Sequence, residues 1–270
     1  MTRMPPHDWT AIRWPEIEAA EPARWIAVLP LAATEQHGPH LPLGTDVHIA
    51  EAYLARVREL LPAELPVTFL PLQPVGLSLE HLSFPGTLTL HTETALRVWT
   101  ELGDSVARAG VRKLVMVTSH GGNSAAMGLV AQELRVRHGM LAVTTGWARF
   151  GTPDGLFETD ELRHGIHGGA IETSIMLAHA PELVRTDRLQ DFRPTTRAME
   201  RDFRFLSAQR PAPFAWAAQD LHPSGAIGDA TGATADKGRR LLDHGARTFC
   251  ELLGDVDRFD LGAFETKPKA

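Results

Sequence analysis

The run Trp25-Ile26-Ala27-Val28-Leu29-Pro30-Leu31 is followed almost at once by Thr34-Glu35-Gln36-His37-Gly38-Pro39-His40-Leu41-Pro42-Leu43-Gly44-Thr45-Asp46. The first part is short, uninterrupted and apolar, as a strand buried on both faces of a parallel sheet is, and its late proline puts the strand's end near Pro30. The second part concentrates two carboxylates, two imidazoles and two glycines directly beyond that end. Glu35 and His37 are two apart and project to one side of an extended chain, and Asp46 returns to them after a Pro/Gly loop. Carboxylate oxygen and imidazole nitrogen together suit a divalent cation, and an Asp that reaches two ions can bridge them.

Working outward, residues 1–24 form a polar lead-in with a short helix expected over Trp14 to Ala20. Apolar residues recur at helical spacing from Val47 to Leu61, so Asp46 has a second reading, as the cap of that helix. Val67 to Leu72 reads as a second strand, and Gln73 to Thr89 as a long Gly-, Pro- and Ser-rich loop of the kind usually kept for function. Thr92 to Ala109 is an amphipathic helix stopped by Gly110, and Lys113 to Thr118 a third strand. That strand delivers Ser119-His120-Gly121-Gly122-Asn123, where Asn123 can cap a helix running to His138 with Gly139 as its stop. Leu141 to Thr145 is a fourth strand leading to Trp147. Strands alternating with helices predict an α/β fold with a mostly parallel sheet, and such sheets place their sites beyond the carboxyl ends of the strands, where Glu35, His37, His120 and Trp147 all fall. Further helices are expected over Gly168 to His179 and Thr234 to Leu253. Residues 185–215 have no clear period and read as a surface or subunit-contact segment.

The 270 residues are 43% hydrophobic with nothing resembling a linker, which predicts one domain over 1–270 with 1–24 and 254–270 peripheral. A net charge of -6 with scattered basic residues argues against a nucleic-acid partner. The lone Cys250 excludes an internal disulfide and a thiolate cage, and its apolar neighbours predict a buried thiol. No leader-like apolar segment or membrane span stands out, so a cytoplasmic enzyme with no membrane partner is expected. The Pro/Lys tail after Thr266 reads as disordered.

The pattern E-x-H-G-x-H-L-P-x-x-x-D, read from Glu35 to Asp46, resembles the signature of the creatininase (creatinine amidohydrolase) family. Gly76-Leu77-Ser78-Leu79-Glu80-His81 with Phe84-Pro85-Gly86-Thr87, then Ser119 to Asn123, His167 to Ser174, and Gly225 to Gly228 fit in order. The resemblance implies a three-layer αβα fold with helices on both faces of the sheet, and a homo-oligomer, commonly a hexamer. It also implies two divalent metal ions per chain, zinc, manganese or iron, with Glu35 and His120 on one, His37 and Glu172 on the other and Asp46 bridging. Two ions about 3.5–4 Å apart can activate a shared water and polarise a scissile carbonyl.

Around that set, Glu172 and His167 are the expected catalytic residues, His167 as a proton donor to a leaving nitrogen or else a helix-start histidine. His40, Ser78 and Glu80 are expected to support the ligands or the substrate from behind. Trp147 and Trp216 either wall the pocket or pack the core. The preferred activity is hydrolysis of a non-peptide C–N bond in a small-molecule substrate: an amide, cyclic amide or formamide. The alternatives are a peptidase of a peptide-derived cofactor maturation pathway of the mycofactocin type, a sugar-ring C–C hydrolase, or a non-catalytic metal-binding module. Creatinine amidohydrolase carries a Glu two residues after the His of its third motif; Gly122 stands there in this chain, so creatinine itself is not the expected substrate.

Overall fold

A computed structural model describes residues 4–209 and 211–264. Four strands, β1 (Ile26–Leu31), β2 (Val67–Phe69), β3 (Lys113–Thr118) and β4 (Leu141–Gly146), form a parallel sheet in the order β2-β1-β3-β4. β1 and β3 pair along their whole lengths, Ile26 with Lys113 through Leu31 with Thr118, so their carboxyl ends emerge side by side. Their residues are buried throughout, as an apolar run without alternation requires when both faces are covered. Pro30 lies inside β1, which ends one residue beyond the end the sequence suggested, and β2 is only three residues long.

Five long helices cover the sheet: α1 (Thr45–Leu60), α2 (Thr92–Arg108), α3 (Ser124–His138), α4 (Ala170–His179) and α5 (Ala235–Arg258). The period of two along each strand divides the core. Ile26, Val28, Val115 and Val117 face Tyr53 and Val57 of α1 and Phe249 and Leu253 of α5. Ala27, Leu29, Leu31, Leu114 and Met116 face Trp99 and Val106 of α2 and Met127, Val130 and Leu134 of α3. The result is three layers, α1 and α5 on one face and α2 and α3 on the other. α4 packs against both α1 and α5, which fixes the helix bearing Glu172 against the helix bearing Asp46.

Helix ends follow local chemistry in part. Gly139 closes α3 at φ 67°, a left-handed conformation that glycine adopts at no steric cost. Gly44 holds the N-cap of α1 and Asp46 sits inside the first turn, while Asn123 stands at the N-cap of α3 but spends its side chain elsewhere. α5 begins where Thr234 accepts from the Lys237 N–H, and it extends to Arg258, beyond the expected Leu253. The 185–215 segment holds three short strands, Asp191–Phe192, Leu206–Ser207 and Ala212–Pro213, and a helix, Thr196–Asp202; the tail after Thr266 lies outside the described residues. Cys250 is free and buried, and no helix among the described residues is long and apolar enough to cross a membrane.

Candidate metal centre

The loop leaving β1 places Glu35 and His37 with 0% and 1% exposure. The Glu35 N–H donates to Leu43 O, folding the loop back toward α1, whose first turn presents Asp46, also 1% exposed. The loop leaving β3 presents His120, and Ser119 donates from Oγ to the Asp46 carbonyl at 2.7 Å, tying the two strand ends together. Asn123 completes the tie: its Oδ1 accepts from Leu77 N and its Nδ2 donates to Ala32 O and Thr118 Oγ1. α4 supplies Glu172, whose Oε2 accepts the Gly168 N–H at 2.6 Å.

Two donor sets converge and share one residue. Glu35, Asp46 and His120 form one; His37, Asp46 and Glu172 form the other, with the donor atoms of each set within 4.8 Å of one another. His120 Nδ1 stands 3.1 Å from Glu35 Oε1 and 3.5 Å from Asp46 Oδ2. His37 Nε2 stands 3.9 Å from Asp46 Oδ2 and 3.8 Å from Glu172 Oε2. Both oxygens of Glu35, Oδ2 of Asp46 and Nε2 of His37 are buried without a hydrogen-bond partner. A buried polar atom left bare costs a large part of its hydration free energy, so three carboxylate oxygens and a ring nitrogen left bare in one place are the donor set a cation would satisfy.

The histidine tautomers agree. His37 Nδ1–H donates to the Glu35 carbonyl and His120 Nε2–H to the Leu77 carbonyl, which leaves the inward nitrogen of each neutral ring as a lone pair. The electrostatics without a cation are those of crowded like charges. Burial pushes the Glu35 carboxyl up, but His120, His167 and His37 more than offset it and hold it well below the usual carboxylate range. Burial and the Glu35 charge push the Asp46 carboxyl up. Burial pushes the His120 ring down, yet Glu35, Asp46 and Glu80 together raise it to about 10. Burial, with His167 next, pushes His37 well down, and burial raises the Glu172 carboxyl.

His167 lies beside this centre. Its Nε2 donates to the Gln36 carbonyl and its Nδ1 stands 3.7 Å from Glu35 Oε1. Its backbone exchanges hydrogen bonds with Ile227, so the 225–228 loop holds the ring in place. Gln36, His37 and His167 come together over 131 residues of sequence because the His-Gly-Gly turn lies between the β1 loop and the 225–228 loop. His40 reaches the same turn from behind, Nε2 lying 2.9 Å from Gly168 O and 3.1 Å from Thr173 Oγ1, with burial lowering its ring to about 4. Ser78 is fully buried, and Glu80 stands 3.5 Å from His120 Nε2.

Not every expected residue lies there. Trp147 is packed in the core, stacked on Tyr53 at 4.4 Å and edge-on to Phe249, so its role is the packing one and not a pocket wall. Trp216 is half-buried among Ile166, Leu221 and Ile227, with its indole N–H donating to Ala208 O, which is also a packing role. Three contributors escape a reading by motif. His81 is 1% exposed and 3.2 Å from Glu35 Oε1. Gln36 bridges three loops. Glu161 is buried and accepts from Ala170 N and Asp229 N, pinning the start of α4 to the 225–228 loop. His81 closes the 76–81 stretch that fits the family, which brought it near the pocket without giving it a role; Glu161 sits in an ordinary charged stretch. Two further groups of donor type exist among the described residues: the set Glu35, His37 and His167 overlaps the centre and is buried, whereas the set His48, Glu51 and His179 is at the surface and has no orphaned buried atom. A surface cavity of about 380 Å3 lined by Arg163, Thr196, Glu200 and Phe205 includes none of the ligand-type residues.

The family model "Creatininase: Creatinine amidohydrolase" matches residues 10–253. The mycofactocin precursor peptide peptidase of Mycobacterium ulcerans (strain Agy99) is 34% identical over 248 residues, covering 87% of this chain and 84% of that one. The creatinine amidohydrolase of Pseudomonas putida is 30% identical over 249 residues, covering 86% and 90%. A solved creatininase variant of Zn–Zn type superposes with TM-score 0.72 at 26% identity, covering 94% of this chain and all of that one.

Proposed function

The chain belongs to the creatininase family of hydrolases, and from that premise we propose that it is a two-metal hydrolase that cleaves an amide C–N bond. The observation that carries the reading is the shared Asp46, which belongs to both donor sets, together with the orphaned oxygens of Glu35 and the bare Nε2 of His37. Glu35, His120 and Asp46 would hold one ion, and His37, Glu172 and Asp46 the other. When bound, the pair supplies Lewis acidity, lowering the pKa of water and polarising a carbonyl.

The protein's own groups do the rest. His167 presents a lone pair from Nδ1 and is anchored through Nε2, so it begins as a proton acceptor. It takes a proton from the attacking water and passes it to the leaving nitrogen, whose expulsion as an anion would otherwise be prohibitive. Glu172 is held by the Gly168 N–H through Oε2, the same oxygen that stands 3.8 Å from His37 Nε2. His40 fixes the Gly168 carbonyl and so the turn that carries both residues.

Gly122 bears on the substrate. A Cβ there would overlap His120 Nε2 and come within 2.5 Å of the Leu77 carbonyl oxygen, so any side chain at this position would force its neighbours to shift, and Glu172 is the carboxylate within reach of His37 instead. The greater identity to the peptidase than to the creatinine amidohydrolase favours a peptide amide over a small cyclic amide. The test is a hydrolysis screen over short peptides, lactams and formamides with chelator-stripped and metal-restored protein. Turnover is expected only after metal is restored and highest on a peptide. Glu172→Gln is expected to lose one of two ions selectively and nearly all turnover; two tightly held ions in that variant would remove Glu172 from the ligand set.

A further inference from the structure

We propose that His81 is locked by Gln36 as the Nε2–H tautomer and serves the centre as a positioning N–H donor beside Glu35, neither a ligand nor a base. The argument starts from the Gln36 amide, whose orientation is set by two backbone groups with one role each. The Gly38 N–H can only donate and lies 2.9 Å from Oε1; the Gly225 carbonyl can only accept and lies 3.1 Å from Nε2. That same Nε2 is 2.7 Å from His81 Nδ1. Because the amide nitrogen donates, Nδ1 must accept, and the proton of the neutral ring is left on Nε2. Nε2 stands 3.2 Å from Glu35 Oε1.

His37, His120 and His167 show the opposite arrangement. Each spends one N–H on a backbone carbonyl, of Glu35, Leu77 and Gln36 in turn, so that its neutral form turns a lone pair inward. His81 turns a proton inward. The ring has no freedom to exchange roles, since it is 1% exposed and packed at a tilt of 31° against His167, centroids 4.3 Å apart, which itself packs at 32° against His37 at 4.1 Å. The arrangement also explains the glycine at 225: its φ is +81°, and a Cβ there would overlap the Gln36 amide. Glu35 Oε1 has no hydrogen bond in this geometry, the N–H lying off its line, so the donor waits next to an oxygen that needs one. A donor there orients the carboxylate without competing for a cation, as partners of metal ligands do.

The effect on metal affinity rests on the metal-centre reading; the tautomer does not. Protein labelled with 15N-histidine, metal-loaded and metal-free, gives the tautomer directly, the His81 resonances being those missing in His81→Gln. Nε2 protonated and Nδ1 bare is the expected pattern, and Gln36→Glu, which can only accept, is expected to draw a proton onto Nδ1. Chelator competition then reads affinity: His81→Phe is expected to weaken the more sensitive ion about 10–100-fold, and His81→Gln, whose amide N–H reaches the same side, to recover most of it. A proton on Nδ1 in the wild type, or equal affinities for His81→Phe, His81→Gln and wild type, would overturn the inference. If the wild type binds no divalent cation the metal reading falls instead, and the nitrogen resonances of the same sample still decide the tautomer.

Discussion

Asp46 and His120 set the pH at which the centre can fill. In the metal-free protein His120 is raised to about 10, burial working against it and Glu35 with Asp46 and Glu80 for it, and Asp46 is raised by burial and by Glu35. A cation binds the deprotonated forms, so at neutral pH it must displace a proton from His120, and the raised Asp46 carboxyl acts in the same direction. The sign follows: affinity falls as pH falls and climbs as pH rises toward 10, by about tenfold per unit for each proton released. Competition with a chelator between pH 6 and 9 measures the slope, and a flat profile would contradict the protonation pattern. At this scale the motif residues were readable because carboxylates and imidazoles clustered beyond apolar strands have few other uses. His81 was not readable, since its role depends on an amide 45 residues away. Asp46 was ambiguous between cap and ligand until the helix start placed Gly44 at the cap.

The elements that carry the ligands are held by close helix packing, and the tightest place is Gly238 on α5. A Cβ there would overlap the Ser174 carbonyl of α4, two residues beyond Glu172, so the two helices approach nearer than any other residue permits. Gly238→Ala is expected to push α4 away and destabilise the protein by about 1–3 kcal/mol. The denaturant midpoint measures this, and an unchanged midpoint would show that the contact relaxes without strain. Element existence was legible from period and punctuation: the apolar run at Lys113–Thr118 and the Gly139 stop of α3 coincide with their structural counterparts. What pattern did not give was the side-chain use at element ends. Asn123 stands at a helix cap but its side chain ties three loops, and Trp147 at a strand end turned inward because Tyr53 of α1 offers it a stacking face. Both outcomes depend on tertiary neighbours that local sequence does not contain.

At the scale of the whole molecule, family membership and the donor geometry describe one protein whose strand ends, loops and α4 all serve a single centre. The 185–215 segment leaves Phe203, Phe205 and Leu206 exposed at 48%, 60% and 43%, apolar area that a subunit contact would cover. We propose a homo-oligomer that uses this surface; light scattering is expected to report a mass several times that of one chain, and a stable monomer at micromolar concentration would refute it. The central claim is that Asp46 joins two cation sites, and elemental analysis of purified wild type beside Asp46→Asn tests it most directly. The account predicts two divalent ions per chain in the wild type, and in Asp46→Asn the loss of bound metal with turnover down by orders of magnitude. Two ions retained in Asp46→Asn with near-full turnover would contradict it.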